Sequence, residues 1–378
     1  MRSGVFLQQP GGFKAFNPAT LPPNPPFHID TEMLELNSRA DLAIGRLDSL
    51  GDFIPNAELF VFMYVRKEAV ISSQIEGTQA TLTDILEFEA GNAEQDKRSD
   101  IDEVVNYLSA MDFGLLQIKA SDGLPLSLRL IREVHKRLLA GVRGQHKTPG
   151  DFRTSQNWFG GASPTSATFV PPAVHDLGPA LHDFERFLRG NKSLPPLIRT
   201  ALLHYQFETI HPFLDGNGRV GRLLIALYLC HEGVLKHPLL YLSYYLKKHQ
   251  QDYYSLLQAV RETGDYESWV KFFLQGVAET ADEAVKTARS IIALKEADRA
   301  KMPALGRGMQ RGTLLLERLF TTPVVSVSVV EGITGLSPKA AGDLVSKFVE
   351  LGILAEVTGR KRNRTFHYQA YLDILSTR

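Results

Sequence analysis

The run His211-Pro212-Phe213-Leu214-Asp215-Gly216-Asn217-Gly218-Arg219-Val220-Gly221-Arg222, leading into the apolar segment Leu223–Cys230, decides how this chain is read. Gly216-Asn217-Gly218 sets small residues just ahead of a helix start, where free backbone N–H groups point at an anion. Taken alone, a G-x-G is more often a turn. Arg219 and Arg222 stand three apart on one face of the predicted helix. They also sit at its N-terminus, where the macrodipole disfavours cations by about 0.3–1 kcal/mol. Gly221 in the first turn costs about 1 kcal/mol against alanine, which implies a close approach to the backbone. A triphosphate accounts for all three oddities. Asp215 beside phosphates is self-defeating unless a divalent cation bridges them, as Mg²⁺ does between one carboxylate and phosphate oxygens. His211 is placed to act as a general base. A lone His or Asp is usually a packing or turn residue. Eight specified positions together, each at about one in twenty, coincide by chance on the order of 10⁻¹⁰ per start site.

Outward from this stretch, composition excludes several classes. The 378 residues are too many for one typical domain, so two or three units are expected. Hydrophobic residues at 44% and charged residues at 22% describe an ordinary globular chain. Forty-two Lys+Arg cancel forty-two Asp+Glu, so nucleic-acid or membrane binding would need a local patch. Leu223–Cys230 falls well short of the ~18 apolar residues of a membrane span. Nor do the first residues carry a secretory apolar core. The lone Cys230 cannot form an internal disulfide and reads as a buried small hydrophobe. A cytoplasmic location without membrane contact is expected.

Residues 1–30, with Pro18, Pro22, Pro23, Pro25 and Pro26, read as an extended polyproline-like arm, either loose or laid on the body through Phe13, Phe16, Leu21 and Phe27. Helices are predicted from Thr31, capped by Asp30 or Thr31, from Pro55-Asn56 to about Ile75, and from Thr81. Residues 100–280 read as further helices, interrupted by a hairpin-like pattern over Asn157–Pro172. No βαβ alternation is present, which argues against a Rossmann-type sheet. Residues 303–378 read as helix, helix, helix and a hairpin with the basic tip Arg360-Lys361-Arg362-Asn363-Arg364, the plan of a winged helix. The fold class is therefore mainly α. The units are 1–100, an N-terminal arm and helical region; 101–285, the core; and 303–378, the winged-helix domain.

At residues 211–222 the sequence closely resembles the Fic family, whose motif is H-x-F-x-[D/E]-G-N-G-R-x-x-R. Leu21-Pro22-Pro23-Asn24-Pro25-Pro26 and Glu68-Ala69-Val70-Ile71-Ser72-Ser73-Gln74-Ile75-Glu76-Gly77-Thr78 resemble the N-terminal region of its autoinhibited bacterial members, while Gly150-Asp151-Phe152-Arg153 and Tyr253-Tyr254 fit its core. The resemblance covers about residues 14–280. It implies a Fic-type helical core with a β-hairpin flap, and an adenylyltransferase that moves AMP from ATP, with Mg²⁺, onto a Tyr, Thr or Ser hydroxyl of a target protein and of itself.

By the same resemblance His211 deprotonates the hydroxyl and Asp215 holds Mg²⁺. Gly216, Asn217 and Gly218 form the anion hole, Arg219 and Arg222 grip the β/γ-phosphates, and Phe213 anchors the loop; Gly221 is counted with the ATP-binding residues for the close approach its place implies. Asn157, Trp158, Phe159 and Gly160 fall on the flap that aligns the target segment, and Tyr253 on the adenine pocket. Arg261 stands where some relatives have Asn, which leaves base selectivity open. Gly218-Arg219 departs from the Asn-Lys version of relatives that act as kinases.

Glu76 is predicted at a helix C-terminus, which disfavours an anion, as Arg222 lies at an N-terminus that disfavours a cation; pairing relieves both. The bland alternative is a surface Glu before a capping glycine. Ser72 shares its helix face, and Ser72-x-x-x-Glu76-Gly77 matches the family's inhibitory motif, so Glu76 and Ser72 are expected to form a brake. Rival readings are a DNA-binding regulator whose core senses nucleotide, a metal-dependent hydrolase using His204 and His211, and an enzyme that removes AMP with Glu76 orienting water. Residues 303–378 carry ten Lys+Arg against six Asp+Glu, so their basic tip is a candidate surface for DNA or protein. A second copy of the chain is a further candidate partner.

Overall fold

Apolar residues on every side of one helix make it a core helix, and Leu223–Cys230 belongs to such a helix. The computed structural model describes residues 1–53, 57–91, 97–190, 193–359 and 364–376. A hairpin of β1 (Gly4–Gln8) and β2 (Lys14–Pro18) comes first. It is followed by α1 (Thr31–Phe53), α2 (Ala57–Ile75), α3 (Leu82–Glu89), α4 (Arg98–Lys119), α5 (Leu128–Leu138) and α6 (Val174–Arg189). Then come α7 (Pro196–Ile210), α8 (Asn217–His231), α9 (Ser243–Lys248), α10 (Gln250–Thr263) and the long α11 (Tyr266–Arg299). Residues Leu197–Ile210 of α7 and Arg219–Leu229 of α8 are all buried, so these two helices form the centre. Around them α4, α5, α6 and α11 bury one face each.

The helix starts follow local chemistry. Asp30 Oδ1 accepts the Met33 N–H at 2.8 Å, which makes Asp30 the cap of α1. Thr81 and Asp84 form a reciprocal capping box on α3. The expected start of α2 at Pro55-Asn56 lies outside the described residues, and that helix is described from Ala57.

Two readings of β structure change. The N-terminal arm is laid on the body, and part of it is a hairpin pairing Gly4 with Pro18 and Gln8 with Lys14. Pro10-Gly11-Gly12 is its turn, so residues 4–18 double back on themselves and the arm after Pro18 is free of strand structure. Phe16 donates its N–H to Val170 O at 2.9 Å, Gln206 Nε2 donates to Ala19 O at 2.9 Å, and Arg2 pairs with Glu267. The pattern over Asn157–Pro172 yields one antiparallel bridge, Phe159 to Phe169, rather than two strands, because Gly160 and Gly161 at positive φ break the ladder after one pair.

After a 3₁₀ turn at Met302–Gly308 the chain forms α12 (Met309–Leu319), β3 (Val324–Val325), α13 (Val327–Thr334), α14 (Pro338–Glu350), β4 (Ala355–Glu356), β5 (Phe366–His367) and α15 (Gln369–Ser376). The strands lie in the order β3-β5-β4, all antiparallel, and are shorter than the apolar runs that foretold them. Of the basic tip, 360–363 lies outside the described residues, and Arg364 rests over the Phe366 ring at 5.3 Å. The terminal α15 was not foreseen.

Candidate active site

Pro212 cannot continue α7, so the helix ends at Ile210 with His211 in the left-handed region at φ +48°. That conformation costs a non-glycine residue on the order of 1–3 kcal/mol and needs support. Support comes from Arg153, a buried guanidinium whose Nε donates to His211 O at 3.1 Å and whose Nη2 donates to Pro172 O at 2.5 Å. Asn157 Nδ2 donates to Phe213 O at 3.0 Å. The Asn217 side chain closes the loop, accepting from Phe213 N and donating to Phe213 O, each at 2.8 Å. Phe213 is fully buried and stacks on His135 at 3.7 Å. His135 Nδ1 accepts the Gly150 N–H at 2.8 Å, so its Nε2 is the donor to Asp215 O at 3.0 Å. Burial pushes that imidazole down to about 4, which keeps it neutral.

The turn into α8 is made by Gly216 at φ +76°, and its N–H donates to Asp215 Oδ1 at 2.6 Å. Arg222, only 2% exposed, extends Nε to Ser72 Oγ at 2.8 Å and Nη2 to Ser72 O at 2.9 Å and Glu76 Oε1 at 2.7 Å. A Cβ on Gly218 would collide with Glu76 Oε1, so the carboxylate lies directly over the start of α8. Burial pulls the Glu76 carboxyl up, but Arg222 outweighs it and holds the group below the ordinary range. Burial likewise pulls Arg222 down, and Glu76 reverses it, holding the guanidinium above its usual value. Arg219 instead donates to Glu103 Oε2 at 2.9 Å and lies 3.8 Å from Asp215 Oδ1. Glu103 also meets Arg143 Nε at 3.3 Å, and Arg143 Nη2 donates to Glu76 O at 3.1 Å.

The His211 imidazole is 15% exposed and meets the Phe159 ring edge-on at 4.4 Å. Burial first, then the charges of Arg261 and Arg153, push it down to about 3, so it is the free base at neutral pH. Phe159 and its chain neighbours Trp158 and Gly160 are exposed.

The structure thus brings His211, Asp215, Gly216, Asn217, Gly218, Arg219 and Arg222 together with Ser72 and Glu76 from the end of α2. Three expected residues sit differently. What approaches the Gly221 backbone is α7, since a Cβ there would strike Glu208 Oε1; helix packing, and not a ligand, explains this glycine. Tyr253 is buried with its hydroxyl 2.9 Å from His204 Nε2, and its neighbour Tyr254 is the exposed one. Asn157 turns inward to the loop carbonyls. Arg261 is buried, 3.8 Å over the Phe169 ring, with Nε 3.2 Å from Thr209 Oγ1.

His204 contacts Gly221 O and Tyr253 and is pushed down to about 3 by burial. It is a core residue with both ring nitrogens engaged, which removes the His204–His211 metal pair. Among the described residues no group of three or more His, Cys, Asp or Glu is placed to hold a metal ion. The sequence reading missed Glu103, His135 and Glu208. Each sits on a helix with no local motif, and only burial of its polar atoms against the loop reveals it.

Two family models match, the Fic/DOC family N-terminal domain over residues 34–116 and the Fic/DOC family domain over 125–229. The chain is 34% identical over 184 residues to a protein adenylyltransferase Fic of Drosophila grimshawi, covering 47% of this chain and 34% of that protein. It is 33% identical over 215 residues to the protein adenylyltransferase Fic of Drosophila yakuba, covering 55% and 39%. It therefore spans little more than a third of the length of these curated relatives. A Fic family protein from Desulfovibrio desulfuricans shares the fold at a TM-score of 0.59 and 21% identity, covering 90% of this chain and 97% of that one. Residues 34–116 and 125–229 thus carry the two domains of the Fic/DOC family, the second with the His211–Arg222 loop in place.

Proposed function

We propose that this chain is a protein adenylyltransferase, transferring AMP from ATP to a Tyr, Thr or Ser hydroxyl of a target protein and of itself, and that Glu76 restrains it. The observation that carries the reading is the Glu76 carboxylate at 2.7 Å from Arg222, lying over Gly218 where free N–H groups and a buried guanidinium otherwise await an anion. A carboxylate in that place is a substitute for phosphate.

In the reaction the neutral His211 imidazole takes the hydroxyl proton. The hydroxyl oxygen forms its bond to the α-phosphorus as the bond from that phosphorus to the bridging oxygen breaks. Pyrophosphate leaves with the electron pair. Arg222 binds the terminal phosphates once Glu76 is displaced, and Phe159 with Trp158 lines the approach of the target segment. Asp215 fits a divalent cation: one carboxylate oxygen is held by the Gly216 N–H, and the side chain is 36% exposed at the loop. Mg²⁺ held there with phosphate oxygens would neutralise charge on the leaving pyrophosphate.

The test is incubation with ATP labelled at the α- or the γ-phosphate, using the parent, Glu76→Gly and Glu76→Gly with His211→Ala. Transfer of α-label by Glu76→Gly alone supports the reading. Transfer of γ-label, or AMP removal by the parent that Glu76→Gly loses, overturns it.

Residues 303–378 fit a winged-helix domain, and we assign its basic loop, Arg364 included, to contact with DNA or protein. A salt-dependent shift of duplex DNA, lost when the loop is neutralised, supports the DNA contact, and no binding at low salt ends it. A cytoplasmic location agrees with the single thiol, Cys230, which is half-buried and not fully buried as expected, and which desolvation pushes up to about 12. Among the described residues no helix is long and apolar enough to cross a membrane.

A further inference from the structure

Glu208 lies three residues before His211 on the last turn of α7, and the mechanism above does not use its side chain. The carboxyl is buried. Its Oε1 has no hydrogen-bond partner among the described residues, and its Oε2 stands 3.9 Å from His211 Nδ1, which is buried without a well-formed hydrogen bond and has the Glu208 main-chain carbonyl as a rival acceptor. Two orphaned polar atoms beside the reacting group are unusual, since burying each unpaired costs about 1–3 kcal/mol. Space is kept for them. Gly221 is bare where any side chain would strike Glu208 Oε1.

We propose that Glu208 is the positioning residue for His211: in the released enzyme its carboxylate accepts the His211 Nδ1–H and leaves Nε2 unprotonated toward the target hydroxyl. Closing 3.9 Å to an ordinary N–H···O distance needs about 1 Å, within reach of side-chain rotation. During transfer the hydroxyl proton ends on Nε2, the Nδ1 proton stays where it was, and the imidazolium faces a carboxylate. An acid that orients a base in this way fixes its tautomer and stabilises its charge.

The surrounding charges explain why the pair is apart at rest. Glu208 faces Arg222 from α8, Arg261 from α10, His211, and Glu76 from the end of α2. Burial pushes its carboxyl up to about 7, Arg222 and Arg261 pull it down, and Glu76 pushes it up. At neutral pH a resting Glu208 is therefore partly protonated. In the nucleotide-free Glu76→Gly protein that repulsion is gone, which favours the carboxylate.

The inference rests on the adenylyltransferase reading, and its test keeps the two separable. In the Glu76→Gly background, Glu208→Gln should lower kcat at least tenfold with KM for ATP unchanged and shift the acid limb of the pH–rate profile. Glu208→Asp should recover part of the loss. In Glu76→Gly with His211→Ala, Glu208→Gln should add nothing, since the two act as a unit. Independently of turnover, ¹⁵N NMR of the nucleotide-free Glu76→Gly protein should show His211 protonated at Nδ1, and Glu208→Gln should lose that preference. An unchanged kcat and profile, an effect confined to KM, or a His211 tautomer indifferent to residue 208 overturns the proposal. If Glu76→Gly transfers no AMP, the functional reading fails, and the tautomer measurement alone decides Glu208.

Discussion

Replacing Glu76 by Gly removes one charge-assisted hydrogen bond, the 2.7 Å contact to Arg222 Nη2, and uncovers the start of α8. Hydrogen bonds to charged groups contribute about 1.5–3 kcal/mol. Glu76 is 33% exposed and Arg222 2%, so solvent screens one end only and the lower half of that range applies. At 1.4 kcal/mol per tenfold, productive occupancy by ATP should rise about ten- to forty-fold. The helix should survive. Gly77 is already at φ +98°, and Ser72 still holds Arg222 at 2.8 and 2.9 Å. Glu68, one turn earlier, still accepts from Ser243 N at 3.3 Å. The assay is incorporation of α-labelled AMP into the protein itself at saturating ATP and Mg²⁺, with folding checked by circular dichroism. Combining Glu76→Gly with Arg222→Ala should return activity to the low level, because release is useless without the phosphate ligand. A folded Glu76→Gly protein no more active than the parent would show that Glu76 is not a brake, and the carboxylate would then be tested for AMP removal.

His211→Ala in the Glu76→Gly background should cost about 10²–10⁴-fold in transfer while ATP still binds, measured by calorimetry; loss of binding with it would make His211 structural. Glu68 gives a pH-dependent prediction. Burial pushes it up to about 7 from an ordinary 4.5. Below 4.5 both folded and unfolded chains hold its proton and it costs nothing. As pH rises through 4.5–7 the unfolded chain releases the proton first, so stability is lost across that window. At about 1.4 kcal/mol per pH unit the loss is about 3 kcal/mol. Glu68→Gln should thus gain on the parent by that order between pH 4.5 and 8 in urea unfolding. The depressed histidines His135, His204 and His211 lose stability as pH falls, but they are common to both proteins and cancel. A difference independent of pH would refute the assignment.

The centre of this fold was readable because α8 is apolar on every side and is preceded by an unmistakable break. The loop was readable because its residues are adjacent in sequence and individually misplaced for a helix start. Arg222 and Glu76 were each on the wrong end of a dipole, and the 2.7 Å contact unites them. The rest was not legible because burial has no local signature. Gly221 offers the same sequence signal whether a phosphate or a neighbouring helix lies above it, and here α7 does. Glu103 reaches Arg219 from α4, 116 residues away, with nothing in its own helix to single it out. Tyr253 and Tyr254 are adjacent aromatics, and only packing decides which one is buried. The N-terminal hairpin went unseen because Val5 and Leu7 remain exposed, so its strands lack a clear alternation.

Arg222 has three anchors on α2, and one of them, Ser72 O, belongs to the main chain. No exchange of side chain at position 72 can delete that oxygen. Mutation alone can therefore loosen the grip on Arg222 only in part, by way of Ser72 Oγ or the Glu76 carboxylate, and complete freedom requires the final turn of α2 to move. Control is vested in where a helix rests as well as in which residues it carries. A lineage can erase the acid in a single nucleotide change and still inherit the latch.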